Sequence, residues 1–148
     1  MISDEIQAMK NGIPRDVAEA MDKVAEEMVK SMKQRLEAGD HIDTGNLISS
    51  IHADTKAGNN EIVTEINIDA KSEEGTWYAE FLEYGTGIYN ERGNGRQTPW
   101  VWQDRNGEWH TTRGMEPDPF IRPSVAEHIG ELDAEVSHEI GNLARYKR

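Results

Sequence analysis

The chain contains no cysteine, which excludes a disulfide framework and any thiolate metal site. It is also poor in positive charge, because 16 Lys and Arg stand against 28 Asp and Glu and give a formal net charge of −12. An acidic surface repels phosphate, so tight nucleic-acid binding is disfavoured. No apolar run approaches the roughly 20 residues that span a bilayer, and residues 1–6 lack the basic and apolar pattern of a signal peptide. We therefore expect no membrane association and a protein made in a reducing cytoplasm.

The length and the charge pattern favour one globular unit. A chain of 148 residues suits a single domain, here 1–148, with enough length for one core. The charge is uneven, because residues 91–122 carry five basic and five acidic groups whereas the rest of the chain is acidic. This neutral window is where several arginines gather.

Two amphipathic helices are predicted, at about 14–38 and 123–145. In each segment apolar residues recur at steps of three and four, which places them on one helical face. Pro14 suits a first turn and Gly39 a helix end, so residues 1–12 are predicted to be a loose N-terminal lead-in. The two stripes are Val17, Met21, Val24, Met28, Met32 and Leu36, and then Val125, Ile129, Leu132, Val136, Ile140 and Leu143.

Alternating apolar residues predict an antiparallel strand pair at 48–56 and 61–70. The turn residues 43–46 before it predict a tight turn, with Gly45 at positive φ. A short aromatic helix is expected near 77–84, ended by Gly85-Thr86-Gly87. The following Gly-, Asn- and Arg-rich stretch makes 85–98 a predicted mobile loop.

A β-hairpin is predicted over 100–113, because Asn106-Gly107 lies between two strand-like runs. A two-residue turn there pairs Arg105 with Glu108 and places three tryptophans on one face of the ribbon. That face carries too much apolar surface to stay in water, so it must pack on the domain's own sheet or on another chain. The three tryptophans are Trp100, Trp102 and Trp109.

The predicted fold class is therefore α+β. Two long amphipathic helices pack on one side of a small antiparallel sheet built from 48–56, 61–70 and 100–113, with the β-hairpin and the short aromatic helix as additions. Each long helix has an apolar stripe wide enough for only one buried face.

Few residues are arranged for catalysis. His41 with Asp43 and His52 with Asp54 have His-x-Asp spacing, but no third and fourth ligand follow at a recognisable spacing. His128 and Glu131 lie one helical turn apart, which suits a solvated helix face.

Glu80 and Glu83 could pair for acid–base work, yet no His or Lys lies beside them in the sequence. A solvated face or an intersubunit salt link is the favoured interpretation. Nucleotide-binding and nucleophile motifs are absent. We expect no enzyme activity, no catalytic residue, no metal and no cofactor.

Three segments in this order resemble the head–tail joining, or tail-completion, family of siphophages and related prophages, whose members are minor tail components. The pattern spans about residues 13–145, with the three segments placed between the two amphipathic helices. The segments are Asp43-Thr44-Gly45-Asn46-Leu47 with Ile51, then Tyr78-Ala79-x-x-Leu82-Glu83-Tyr84-Gly85-Thr86, and then Pro119-Phe120-x-Arg122-Pro123.

The resemblance implies a structural virion protein of the neck and tail, made in the host cytoplasm. Its implied partners are its own copies in a hexameric ring, the other neck proteins and the tail-tube protein. With the loop 85–98 and the hairpin, we expect the subunit interface to use Glu83, Arg92, Arg96, Trp100, Trp102 and Trp109.

Three other functions stay open at this point. A tail-terminator protein would have a similar small α+β fold and would differ only in its partners. A metal-dependent nuclease would use His52, Asp54 and Glu80. A nucleic-acid-binding module would use the arginines at 92, 96, 105, 113 and 122.

Overall fold

The computed structural model describes residues 4–39, 44–57, 61–70 and 78–146, and their side chains except those of 4–14, 44 and 143–146. The elements are α1 (Asp4–Ala38), α2 (Thr44–Ser50), β1 (Ile51–Ala57), β2 (Ile62–Ile68), α3 (Tyr78–Tyr84), a 3-10 turn (Gly87–Tyr89), β3 (Trp100–Gln103), β4 (Trp109–Thr112) and α4 (Ile121–Tyr146). Two long helices and two small antiparallel sheets make an α+β fold, which confirms the predicted class. No helix in the described ranges is both long and apolar enough to cross a membrane.

The core forms along the predicted stripe of α1. Its buried residues pack with α2, β1, α3 and the residue that precedes α4. Methionine fills irregular space well because its side chain is unbranched and flexible, and the methionines at 28 and 32 are buried in this cluster. The core includes Val24, Met28, Met32, Leu36, Leu47, Ile51, Leu82 and Phe120.

Helices α1 and α4 lie antiparallel against each other. Lys23 Nζ contacts Glu135 Oε1 at 3.0 Å, and Arg35 near the other end of α1 pairs with Glu127 near the start of α4. The packing of α4 against α1 is the most extensive contact between elements in the fold. The helix predicted at 123–145 is confirmed. Its predicted buried stripe is wrong at Ile129 and Ile140, which are exposed, because α4 packs through the flank that carries Val125 and Leu132.

Strands β1 and β2 form the predicted antiparallel pair, in a register that runs from Ile51 opposite Ile68 to Ala57 opposite Ile62. The sheet packs on α1, and Thr55 Oγ1 donates to Asp22 Oδ1 of that helix at 2.9 Å. Odd-numbered β1 residues point toward α1 and even-numbered ones toward solvent, as the period of two requires.

The predicted three-segment sheet is wrong. β3 and β4 pair only with each other, in a second two-stranded sheet. The physical reason is that α4 uses its buried face against α1 instead of against a sheet, so the hairpin is not needed to cover it.

Two further local expectations are wrong. Helix α1 begins at Asp4, so the predicted lead-in is helical over residues 4–12. Gly45 lies in the first turn of α2 without a positive φ, and a Cβ placed there would meet nothing within 4 Å. Residues 44–46 therefore begin a helix instead of forming a separate tight turn. Asp43 lies outside the described residues.

The segment after α3 is fixed to the segment before α4 by backbone hydrogen bonds. Thr86 N donates to Met115 O at 2.9 Å and Ile88 N to Arg113 O at 3.0 Å. The two chains approach so closely at Gly87 that a Cβ there would lie 1.9 Å from Arg113 O. Mobility of 85–98 stays a prediction, but residues 85–91 are anchored in this structure.

Substitution of Gly87 by alanine tests this crossing. Gly87 has a φ of 62°, and Gly93 has a φ of 73° with nothing within 4 Å of an added Cβ. Gly87→Ala and Gly93→Ala both place an alanine in the left-handed backbone region, which lowers the unfolding free energy by about 1 kcal/mol. Only Gly87→Ala also forces two backbone segments apart. We expect Gly87→Ala to destabilise by about 3 kcal/mol or more, measured by chemical denaturation. Equal losses in the two variants would contradict the close approach.

Candidate assembly site

A buried carboxylate joins α3 to the beginning of α4. Glu83 has a relative exposure of 1%, and its Oε2 accepts from Phe120 N and Ile121 N, both at 2.9 Å. Its Oε1 accepts from Arg122 N at 3.0 Å and from Arg122 Nε at 2.8 Å. The first amides of a helix lack partners within the helix and carry partial positive charge, so Glu83 acts as the N-terminal cap of α4.

Burial by itself would raise the pKa of the Glu83 carboxyl. The hydrogen bonds from the backbone and side chain of Arg122 and from the amides of Ile121 and Phe120 outweigh that effect, and the pKa is lowered. The carboxylate is therefore ionised in the folded protein. The expectation of a solvated face for Glu83 is wrong, because its carboxylate is buried and accepts four hydrogen bonds from within the chain.

A stack of two arginines and a tyrosine lies beside this cap. The Tyr84 ring has the Arg92 guanidinium 3.7 Å from its centroid and the Arg122 guanidinium 4.9 Å from it. Glu80 pairs with Arg92, and Glu91 Oε2 lies 2.9 Å from Arg122 Nη2. Glu80 and Glu83 thus have separate partners and do not form an acid–base pair.

The hairpin β3–β4 has a different register from the predicted one. Trp102 lies opposite His110 and Gln103 opposite Trp109, which leaves a loop with Asp104 and Glu108 at its base. The shift by one residue moves Trp109 to the opposite face from Trp100 and Trp102. The predicted single face with three tryptophans and the Arg105–Glu108 pair are therefore both wrong.

Asp104 explains the longer loop. Its Oδ1 accepts from Asn106 N and Glu108 N, both at 2.9 Å, while Gly107 N donates to Asp104 O at 3.0 Å. Gly107 has a φ of 83°, as in hairpins with a three-residue loop that ends in a left-handed residue. The Asp104 side chain thus favours this loop over the two-residue turn suggested by Asn-Gly.

Both faces of this ribbon meet solvent in the single chain. The outer face presents Val101 and Trp109, with relative exposures of 61% and 68%. On the inner face Trp102 stacks on His110 with ring centroids 4.8 Å apart. Large apolar patches on a protein surface mark interaction sites.

The inner face borders an open cleft of about 850 Å³ between the ribbon and α3. Aromatic and apolar side chains form much of its wall, with Arg96 at its rim over the Trp100 ring. The apolar lining includes Tyr78, Phe81, Trp100, Trp102 and Met115.

Potential metal ligands come together at one described place, where Asp104, Glu108 and His110 lie near the hairpin loop. Their hydrogen bonds account for the arrangement, since His110 Nε2 lies 2.7 Å from Asp104 Oδ2. His52 contacts Ser50 O and lies near Asp69, and His41 with Asp43 lies outside the described residues.

The predicted interface residues divide into two groups. Arg96, Trp100 and Trp102 meet at the cleft, and Trp109 lies on the outer face of the same ribbon. Arg92 packs on Tyr84, and Glu83 is internal. Sequence reasoning missed Val101 and Phe81 as exposed apolar residues. In the observed register Val101 and Trp109 share the outer face of the ribbon. The predicted register places them on opposite faces, so it does not mark Val101 as part of an exposed apolar surface.

The molecule thus has an α+β fold with an aromatic ribbon and an aromatic cleft exposed. A family model described as "Bacteriophage HK97-gp10, putative tail-component" matches residues 2–85, from α1 through α3. The chain belongs to this HK97-gp10-like family of bacteriophage tail components. No curated protein and no solved structure matches the chain. The hairpin and α4 lie beyond the matched range.

Replacing Glu83 with glutamine tests the buried cap. The amide cannot accept all the donors, so we expect a loss of about 2 to 4 kcal/mol in unfolding free energy at pH 7. Because the folded pKa is lowered, the stabilisation by Glu83 is fully present above the unfolded pKa of about 4.3 and is lost as pH falls from there through the lower pKa of the folded protein. The difference in unfolding free energy between the parent and Glu83→Gln should therefore become smaller in acid.

The exposed Glu80 supplies the control, since its pair with Arg92 is worth about 0.5 kcal/mol or less. The measurement is denaturant titration of the parent, Glu80→Gln and Glu83→Gln at several pH values from about 7 down to about 3, where the carboxyl groups begin to protonate. A Glu83→Gln variant with parental stability, or with a gap that widens in acid, would contradict the cap.

Proposed function

We propose that the protein is a structural, non-enzymatic subunit of the head–tail connector of a phage or prophage. It forms the tail-completion ring between the neck and the tail tube, within the virion, after synthesis in the host cytoplasm. Family membership gives the tail component. The observation that supports a joining role is the ribbon β3–β4, which presents Val101 and Trp109 to solvent while the chain that follows it is anchored.

The anchoring is what suits the ribbon to assembly. Arg113 O and Met115 O accept backbone hydrogen bonds from Ile88 N and Thr86 N, and the Glu83 cap holds the chain that follows. A rigid, exposed aromatic surface binds a partner with little loss of conformational entropy. Tryptophan is also among the residues that contribute most to binding energy in protein interfaces.

The charge of the chain also agrees with a ring around a DNA passage. A net charge of −12 repels the phosphate backbone, so a genome would slide past without binding. The same charge makes subunits repel each other, and salt screens that repulsion. The carboxylates weighed for a nuclease have other roles, since Glu80 pairs with Arg92 and Asp54 with Lys56.

The outer face of the ribbon is tested by Trp109→Glu in the phage gene. Trp109 is exposed, so we expect the stability of the isolated subunit to change by less than about 0.5 kcal/mol. A charge in a desolvated joining contact should strongly reduce infectious particles and leave separate heads and tails in electron micrographs. Val63→Glu, an exposed apolar site on β2, is the matched control and should join normally.

The same micrographs separate the alternatives. Free heads beside tails of normal length support tail completion, whereas tails of uncontrolled length would identify a tail terminator. Infectious particles at the parental level with Trp109→Glu would overturn the role of the ribbon. Purified protein incubated with DNA and a divalent metal should leave the DNA uncut.

A further inference from the structure

Helix α4 carries a second exposed apolar surface, on a flank that α1 does not cover. Ile129 and Ile140 have relative exposures of 51% and 55%, and Val136 between them is half-buried. Ile129, Asp133, Val136 and Ile140 are spaced by four, three and four residues, so they form one ridge along the helix. We call these four residues the α4 ridge.

The cleft and the α4 ridge have complementary shapes and chemistry. The cleft is concave and aromatic, whereas the ridge is convex and aliphatic. An amphipathic helix commonly binds another protein by placing such a ridge into an apolar groove. A cleft of about 850 Å³ falls in the size range of pockets that bind ligands.

Their charges are complementary as well. Arg96 at the rim of the cleft contacts the Trp100 ring, Thr98 Oγ1 and Pro99 O, but no carboxylate within the described ranges. Asp133 is exposed in the middle of the α4 ridge and forms no ion pair with another described residue. A cation beside the cleft and an anion on the ridge would fix the register of a contact between them.

We propose that the cleft of one subunit binds the α4 ridge of a second copy of this chain, with Arg96 paired to Asp133. This contact rests on the proposed ring, for which it supplies the bond between neighbours. Because the two surfaces differ, the contact is heterologous, and repetition of such a contact closes a ring when the rotation from one copy to the next divides a full turn evenly. The outer face of the ribbon, with Val101 and Trp109, stays available for the neighbouring components of the neck and tail.

Two variants that each lose one surface give a direct test in the purified full-length protein. Trp102→Glu disables the cleft and leaves the ridge, while Ile129→Glu disables the ridge and leaves the cleft. Each alone should be monomeric by sedimentation velocity, with the parental circular dichroism spectrum. Mixed together they should form one-to-one pairs and nothing larger, because one good surface remains on each. Val63→Glu should assemble like the parent.

A charge exchange tests the register. Arg96→Glu and Asp133→Arg should each weaken self-association about fivefold to tenfold, and the two changes in one chain should restore it. The matched control is Arg113→Glu with Asp133→Arg, which has the same net charge as the restored chain but should associate as weakly as Asp133→Arg alone. Failure of the Arg96 and Asp133 exchange to restore association would overturn their pairing.

Other outcomes separate this contact from the proposed function. A parent chain that stays monomeric up to about 1 mM, or Trp102→Glu and Ile129→Glu chains that each assemble alone, would overturn the contact. If the Trp102→Glu and Ile129→Glu chains assemble like the parent in solution but leave heads and tails unjoined in the phage, the proposed joining function is supported and the proposed contact is not. If they are monomeric and the phage remains fully infectious, the ring function fails as well.

Discussion

The Glu83 carboxylate joins α3 to the start of α4, and the exposed aromatic surfaces lie between these two helices in the chain. It accepts from three successive amides at the start of α4 and from the Arg122 side chain. Removing an ionised carboxylate from water is costly, and only this complete set of donors makes the burial favourable. The position of α3 relative to α4 is thereby fixed. The Arg92, Tyr84 and Arg122 stack and the adjacent walls of the cleft depend on that position.

The same constraint explains why a small subunit can keep aromatic surface exposed. The core around Met32 and Phe120 stabilises the helices without help from the hairpin. The ribbon is attached at its base, where Gly87 and Gly114 allow two backbones to cross. Apolar residues such as Val101 and Trp109 then stay exposed to solvent, where the proposed partners would contact them. In that proposal the acidic charge of the chain would keep copies apart until complementary surfaces meet.

Much of the architecture could be predicted from periodicity. The stripe of α1, the extent of α4 and the β1–β2 pairing follow from apolar spacing, because each element buries one face, although α4 turns Ile129 and Ile140 of its stripe to solvent. Predictions failed where a single side chain decided between local alternatives. Asp104 selects a three-residue loop and so moves Trp109 to the other face. Gly45 is predicted to occupy a tight turn but lies in the first turn of α2, since turn-forming residues are also common where a helix begins.

By itself the sequence determined the α+β class, the helical stripes, the acidic charge and the resemblance to phage tail components, since these depend on local spacing and composition. Only the tertiary structure decided which charged residues are internal and which apolar residues are exposed. Glu83 and Glu80 lie three positions apart, yet one caps a helix 37 to 39 residues away and the other faces solvent. Such a difference arises because burial and long-range hydrogen bonding depend on packing between distant segments, which local patterns do not encode.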